Sequence, residues 1–248
     1  MEPTRRLRIF AGPNGSGKTT IVNDLKTKYS FGEYINADDI EVLLNKERTL
    51  LLTKYQIATD TTAVQDFFKK SSLSPVKLDQ PDIWKEFKIE KNRLLLSDTL
   101  KINSYIAADI AEFLRHCLLK AGLSFTYETV MSHKGKLDFM RLAKEQGYRI
   151  YLYYIATDDP DINISRVNIR VAQDGHAVKP EIISSRYYKS LENLKSAVLL
   201  SNRAYIFDNS GQVSKLLAEV TDGKEVSVID SGMLPNWFIT YLSNKVEI

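Results

Sequence analysis

Cysteine is almost missing from this chain of 248 residues: Cys117 is its only one, which excludes an internal disulfide and fits a reducing compartment. It falls in an apolar helical pattern, so packing is its expected role rather than reactivity. Charge of one sign is also scarce. With 34 basic and 31 acidic residues the net charge is +3, too small an excess to pull strongly on nucleic acid or an anionic membrane, so neither is expected as a partner. Arg5, Arg6 and Arg8 read as the solvated mouth of a first strand. Apolar runs such as Tyr151 to Ala156 fall far short of a membrane span. The stretch Gly12 to Gly17 interrupts the arginine-bearing start before a signal h-region could form, and a cytoplasmic protein is expected. Internal repeats and low-complexity tracts are absent. Histidines at metal-ligand spacing are absent too, which leaves His133 and Lys134 as solvated loop residues. What remains, 44% hydrophobic and 26% charged, suits one large enzyme domain or a domain with a sizeable insertion.

Against that background one segment stands out. Gly12-Pro13-Asn14-Gly15-Ser16-Gly17-Lys18-Thr19-Thr20 spells G-x-x-x-x-G-K-T directly after Leu7 to Ala11, an apolar run that reads as a buried strand. Glycines at those positions let successive backbone N–H groups turn inward on phosphates, and the helix beginning near Lys18 adds the positive end of its dipole. Gly12, Asn14, Gly15, Ser16, Gly17, Lys18, Thr19 and Thr20 are therefore the expected contacts to ATP. Lys18 reaches the β- and γ-phosphates in this pattern, and the Thr19 hydroxyl ligates Mg2+.

Strand and helix signals alternate along the chain, which predicts an α/β fold of the P-loop NTPase type, a mostly parallel sheet flanked by helices. After the first strand and its helix comes a short strand at Tyr34 to Asn36, then a helix from about Asp39. A long helix is expected over Ser104 to Lys120, closed by Gly122. A strand at Phe125 to Tyr127, a helix over Lys136 to Gln146 and a strand over Arg149 to Ala156 follow. Next come a helix over Pro180 to Leu200 and a last clear strand at Ala204 to Phe207. Val226, Val228 and Asp230 alternate near the end, where a hairpin or strand and a short packing helix at Trp237 to Tyr241 are expected. Residues 1–248 are taken as a single domain. Residues 44–103 break the rhythm with turn signals around Ser71 to Pro75 and Gln80 to Asp82 and are taken as a mainly helical insertion.

The carboxyl ends of parallel strands share one ligand crevice. Asp38 and Asp39 close the second strand in this reading; a carboxylate there accepts the proton of an attacking hydroxyl, or else caps the following helix, and both readings stay open. Glu128, ending the third strand with Thr129 beside it, orders Mg2+ through water, or holds a substrate hydroxyl, or is a plain surface carboxylate. Arg166 and Arg170 stand four apart in a helix-compatible stretch, with His176, Lys179 and Arg186 beyond. Arginine forks stabilise the charge on a transferring phosphoryl group, so residues 157–190 are expected to form a lid with a turn at Asp174-Gly175-His176.

The chain resembles the zeta-toxin family of P-loop kinases, in its broader chromosomal branch. The resemblance is carried by the loop from Ala11 to Thr20, by Ile35-Asn36-Ala37-Asp38-Asp39 and by Tyr127-Glu128-Thr129-Val130-Met131-Ser132. Arg166 to Val178 and Ile206-Phe207-Asp208-Asn209-Ser210 extend it. It implies transfer of the ATP γ-phosphate to a hydroxyl of a small molecule, a UDP-amino sugar in the family's best-known members. In that pattern Asp38 is the base, Glu128 the strand-three glutamate and Arg170 the lid arginine. Two departures are visible: Glu128-Thr129 lacks the glycine spacer of the toxins, and His176 aligns with their second lid arginine. A small antitoxin partner is implied weakly. A nucleotide-gated ATPase or switch module without sugar kinase activity is the alternative, and an RNA or DNA end kinase is disfavoured for want of an aromatic-basic stripe.

Overall fold

The computed structural model describes residues 4–173, 178–229, 232 and 234–243. From the amino end, β1 (Arg6–Ala11) leads through the loop into α1 (Lys18–Lys26), followed by β2 (Glu33–Ile35) and α2 (Ala37–Glu47). Then come β3 (Thr49–Leu51), α3 (Thr61–Lys70), α4 (Ser74–Lys77), β4 (Phe87–Glu90), β5 (Arg93–Leu96) and the long α5 (Ser104–Lys120). The remainder holds β6 (Phe125–Thr129), α6 (Gly135–Glu145), β7 (Arg149–Ala156), α7 (Pro160–Val171) and α8 (Pro180–Leu200), then β8 (Arg203–Asp208), β9 (Lys215–Thr221), β10 (Glu225–Val228) and α9 (Asn236–Tyr241). Local chemistry sets many of these ends. Asn103 caps α5 by accepting from the N–H groups of Tyr105 and Ile106, at 3.0 and 3.2 Å, and Gly122 with φ +69° lies just past its end. Proline occupies the first turn of both α7 and α8, where its missing N–H costs nothing.

The chain forms two compact units, residues 1–32 with 126–248, and residues 33–125. In the first unit the strand order is β10-β9-β8-β7-β1-β6. β1 with β7 and β7 with β8 are parallel, while β9 and β10 extend the sheet antiparallel from β8. The hydroxyl of Tyr154 meets Ser190 of α8 at 2.9 Å, so Ile150, Leu152 and Tyr154, all fully buried, face the helix layer. Each such side chain contributes about 1.5–3 kcal/mol. On the opposite face Phe10, Tyr153 and Tyr205 stack in a row, with ring centroids 4.5 and 5.0 Å apart. Among the described residues no helix is long and apolar enough to cross a membrane.

The second unit packs α2 against α5 and carries a small antiparallel sheet in the order β3-β5-β4. Phe68 of α3 stacks on Phe87 of β4 at 3.8 Å. Asp109 of α5 is only 4% exposed. It accepts hydrogen bonds from the Ser71 hydroxyl at 2.8 Å and from the Ser74 N–H at 2.9 Å, with the Ser74 hydroxyl close by. Burial pushes its carboxyl above the usual value, an effect that outweighs the serine hydrogen bonds, and Glu112 adds to it. A carboxyl raised on folding binds its proton more tightly in the native state, so its contribution to stability falls as pH rises above about 3.8. Asp109→Asn is expected to lose ground to the parent at low pH and to recover it toward neutrality, read as the difference in unfolding midpoint between pH 4 and 7. A difference flat across that range would exclude Asp109 as a titrating group.

Three expectations need correction. β2 ends at Ile35, so Asp38 and Asp39 do not close the strand; they lie in the first turn of α2. Asn36 starts that helix by accepting the N–H of Asp38 at 2.9 Å, a local bond that begins the helix at Ala37, two residues before the expected Asp39. Residues 44–103 hold helices as expected, but also the β3-β5-β4 sheet, whose three- and four-residue strands are too short to read from alternation. Ala204 to Phe207 is not the last strand of the sheet, because β9 follows it. Leu216, Leu217, Ala218 and Glu219 favour helix intrinsically, and pairing with β8 overrides that preference. Asp174-Gly175-His176 and Asp230 lie outside the described residues.

Candidate nucleotide-binding site

The loop from Gly12 to Gly17 joins β1 to α1 at the carboxyl edge of the parallel strands, where α/β sheets bind ligands. No side chain caps the amino end of α1, and no acidic residue stands in its first turn. The N–H groups of that turn have no partner within the helix, and the dipole concentrates positive charge there. Among the described residues, Ser16 Oγ and Asn14 Oδ1 are buried with no hydrogen-bond partner. A buried polar atom left so is costly unless a ligand meets it. The uncapped helix end and the Ser16 hydroxyl, which can donate, fit a bound triphosphate, whereas the Asn14 oxygen is an acceptor and calls for a donor.

Lys18 arches over the loop, its ammonium donating to the carbonyls of Gly12 at 2.9 Å and Pro13 at 2.8 Å. The Gly12 N–H donates to the Thr129 carbonyl at 3.2 Å, fastening the loop to the end of β6. Thr19 and Glu128 meet there as well: the Thr19 hydroxyl donates to Glu128 Oε2 at 3.2 Å. Two hard oxygen ligands side by side suit Mg2+, which takes one or two protein oxygens and completes its shell with phosphate and water. Among the described residues no group of three or more His, Cys, Asp or Glu side chains is placed to hold a metal ion.

The remaining candidates are placed less uniformly. Arg166, in the middle of α7, donates to the carbonyls of Asn209 at 2.7 Å, Gly211 at 3.2 Å and Ser210 at 3.5 Å, so its guanidinium fastens the loop after β8. Arg170, one turn later on α7, is exposed. In the second unit Asp38 and Asp39 are both exposed on the first turn of α2, and capping falls to Asn36. The two differ in surroundings. Tyr55 has its phenol pKa raised chiefly by burial, then by the charges of Asp39 and Glu33, so the charge of Asp39 is felt at Tyr55.

Two residues with no assigned role touch the loop directly. Asn163 of α7 donates its amide to the Asn14 carbonyl at 2.6 Å, and Asn209 donates to the Ser16 carbonyl at 2.8 Å. Asn209 belongs to the Ile206 to Ser210 segment already noted for its resemblance. Asn163 had no local signal, because its partner lies 149 positions away.

Comparison with known proteins adds to this geometry. The sequence model of the zeta toxin family matches residues 62–220, more than half of the chain. An uncharacterized protein of Haemophilus influenzae is 32% identical over 72 residues, 29% of this chain and 51% of that one; the chain thus spans about half the length of this curated relative. In fold it is similar to AvrRxo1-ORF1:AvrRxo1-ORF2 crystallised with sulphate ions, at TM-score 0.53 and 18% identity, covering 93% of this chain and 62% of that one. The AvrRxo1-ORF1:-ORF2 structure with ATP gives TM-score 0.51 and 17% identity over 92% of this chain and 61% of that one. At such identities the likeness is one of fold. The family match, which begins beyond the phosphate loop, together with the loop itself, establishes that this chain belongs to the zeta toxin family.

Proposed function

We propose that this chain is an ATP- and Mg2+-dependent kinase that transfers the γ-phosphate to a hydroxyl of a small molecule, with UDP-amino sugars the first acceptors to try. The observation that carries the proposal is the Thr19 to Glu128 contact at 3.2 Å beside an uncapped helix end, a metal-ready pair next to an anion cradle. The AvrRxo1 complex with ATP supports the choice of nucleotide. Thr19, with Glu128 in support, would hold Mg2+, which when bound would neutralise charge developing on the phosphate oxygens.

The chain's own residues do the rest. Backbone N–H groups from Asn14 to Thr20 and the Lys18 ammonium hold the phosphates. Asp38 accepts the proton of the attacking hydroxyl, while Thr129 and Asp39 help to seat the acceptor. A bond forms from the acceptor oxygen to the γ-phosphorus, and the bond from that phosphorus to the oxygen of the leaving ADP breaks. Residues 157–190 act as the lid, and Arg170 clamps the moving phosphoryl from it. Arg166, given its three carbonyl partners, serves this lid as an anchor. The pairing of two chains in the AvrRxo1 complexes supports a protein partner for this chain as well.

Incubation with labelled ATP and a panel of UDP-sugars is expected to give a product heavier by one phosphate. ATP consumption that ignores every added acceptor counts instead for the switch module.

A further inference from the structure

We infer that Asn163 and Asn209 are positioning residues that hold the phosphate loop in its anion-receiving shape, and that they make the root of α7 a fixed part of the nucleotide site. The inference rests on the nucleotide-binding reading above. A trans peptide is planar, with its N–H pointing opposite to the C=O of the preceding residue. Pulling the Asn14 carbonyl outward therefore turns the Gly15 N–H inward, and pulling the Ser16 carbonyl outward does the same for the Gly17 N–H. Asn163 holds the first of these carbonyls and Asn209 the second. Two alternate peptides of the loop are thus oriented from outside by two side-chain amides.

The Asn163 backbone and the Asn209 amide sit where only glycine leaves room. A Cβ on Gly15, whose φ is +74°, would come within 2.6 Å of the Asn163 carbonyl oxygen, and one on Gly17, at φ +90°, within 2.2 Å of Asn209 Nδ2. Those glycines serve the clamp as much as the turn. Each asparagine is itself held in place. Asn163 is fully buried, its Oδ1 accepts from the Thr157 hydroxyl, and the Thr157 carbonyl accepts from Tyr187 of α8 at 2.6 Å. Asn209 is pinned through its backbone N–H to the Ala156 carbonyl at 2.8 Å.

Arg166 closes the arrangement. One turn after Asn163 on α7, it binds the carbonyls of residues 209–211, so both clamps and the helix root move as one body.

Hydrogen exchange in nucleotide-free protein tests this directly. Asn209→Asp and Asn163→Asp keep the side-chain shape but remove the donor, and Asn209→Ala is a milder variant in case a buried carboxylate prevents folding. Exchange of the Ser16 amide, which donates to the Pro13 carbonyl within the loop at 3.3 Å, is expected to quicken about tenfold in the variants while β1 and β7 stay as protected as in the parent. MgATP affinity is expected to weaken by about tenfold in the same proteins, with unfolding midpoints little changed in the variants of the half-buried Asn209. Unchanged exchange at the loop overturns the clamp, as does loosening spread equally over the sheet, which marks a merely structural role. Should the parent bind no MgATP, the nucleotide reading falls, and the exchange arm still decides whether the two amides set the loop.

Discussion

Lys18→Ala is expected to lower phosphoryl transfer by about 10²–10³-fold, the usual loss when one preorganised donor to the transition state is removed. Its ammonium lies against the carbonyls of Gly12 and Pro13 at 2.9 and 2.8 Å, at the opening of the loop where phosphates would sit. A cation held there by the loop needs little rearrangement to meet the growing charge on the phosphoryl oxygens, and a water-excluding site strengthens the interaction. Part of the loss belongs to the loop itself, because the same lysine ties its carbonyls together. Lys18→Arg is expected to recover little, since a planar fork does not follow the path of a compact ammonium. Single-turnover transfer of labelled phosphate at saturating ATP separates the two contributions from binding, and the unfolding midpoint serves as the control. A variant that transfers within twofold or so of the parent would remove Lys18 from the phosphate site.

Asp38→Asn is the second large effect: ATP affinity kept, transfer reduced by about 10²–10⁴-fold, the range typical of a lost general base. The substitution should leave the fold intact. Asn36 already caps α2, Asp38 is exposed, and an acidic residue in a helix's first turn contributes only about 0.3–1 kcal/mol through the dipole. Asp39→Asn is the matched comparison, with a smaller expected loss of transfer, because its charge acts on Tyr55. A binding titration with MgATP beside a transfer assay distinguishes the outcomes. Equal transfer in Asp38→Asn and parent would falsify the base assignment, and equal losses at Asp38 and Asp39 would make the pair a shared acceptor-holding surface rather than a base and its neighbour.

Legibility followed the range of the interactions. Ser104–Lys120 and Arg149–Ala156 came out at the boundaries read from the sequence, because a capping asparagine, a closing glycine and a dense apolar run act within a few residues. Glu128 and Thr19 could be proposed separately from motif position, but their meeting at 3.2 Å spans 109 positions. Arg166 was read as a phosphoryl clamp from its helical spacing with Arg170. Its three carbonyl partners lie 43 to 45 residues further on, beyond any local signal. Asp109 reads as one more charge in an amphipathic helix until Ser71 and Ser74 close over it.

By itself, then, the order of residues determined that a glycine loop with a lysine and a threonine would stand between a buried strand and a helix. Nine consecutive side chains and their backbone preferences are enough to dictate a turn of that kind. Only the tertiary structure decided that Asn163 and Asn209 grip that loop and that Arg166 is spent on the segment after β8. It also decided that a leucine- and alanine-bearing segment would become β9. These outcomes depend on partners brought together by the sheet across as many as 193 positions. Burial makes an unpaired carbonyl costly there, while the sequence near each residue carries no trace of that cost.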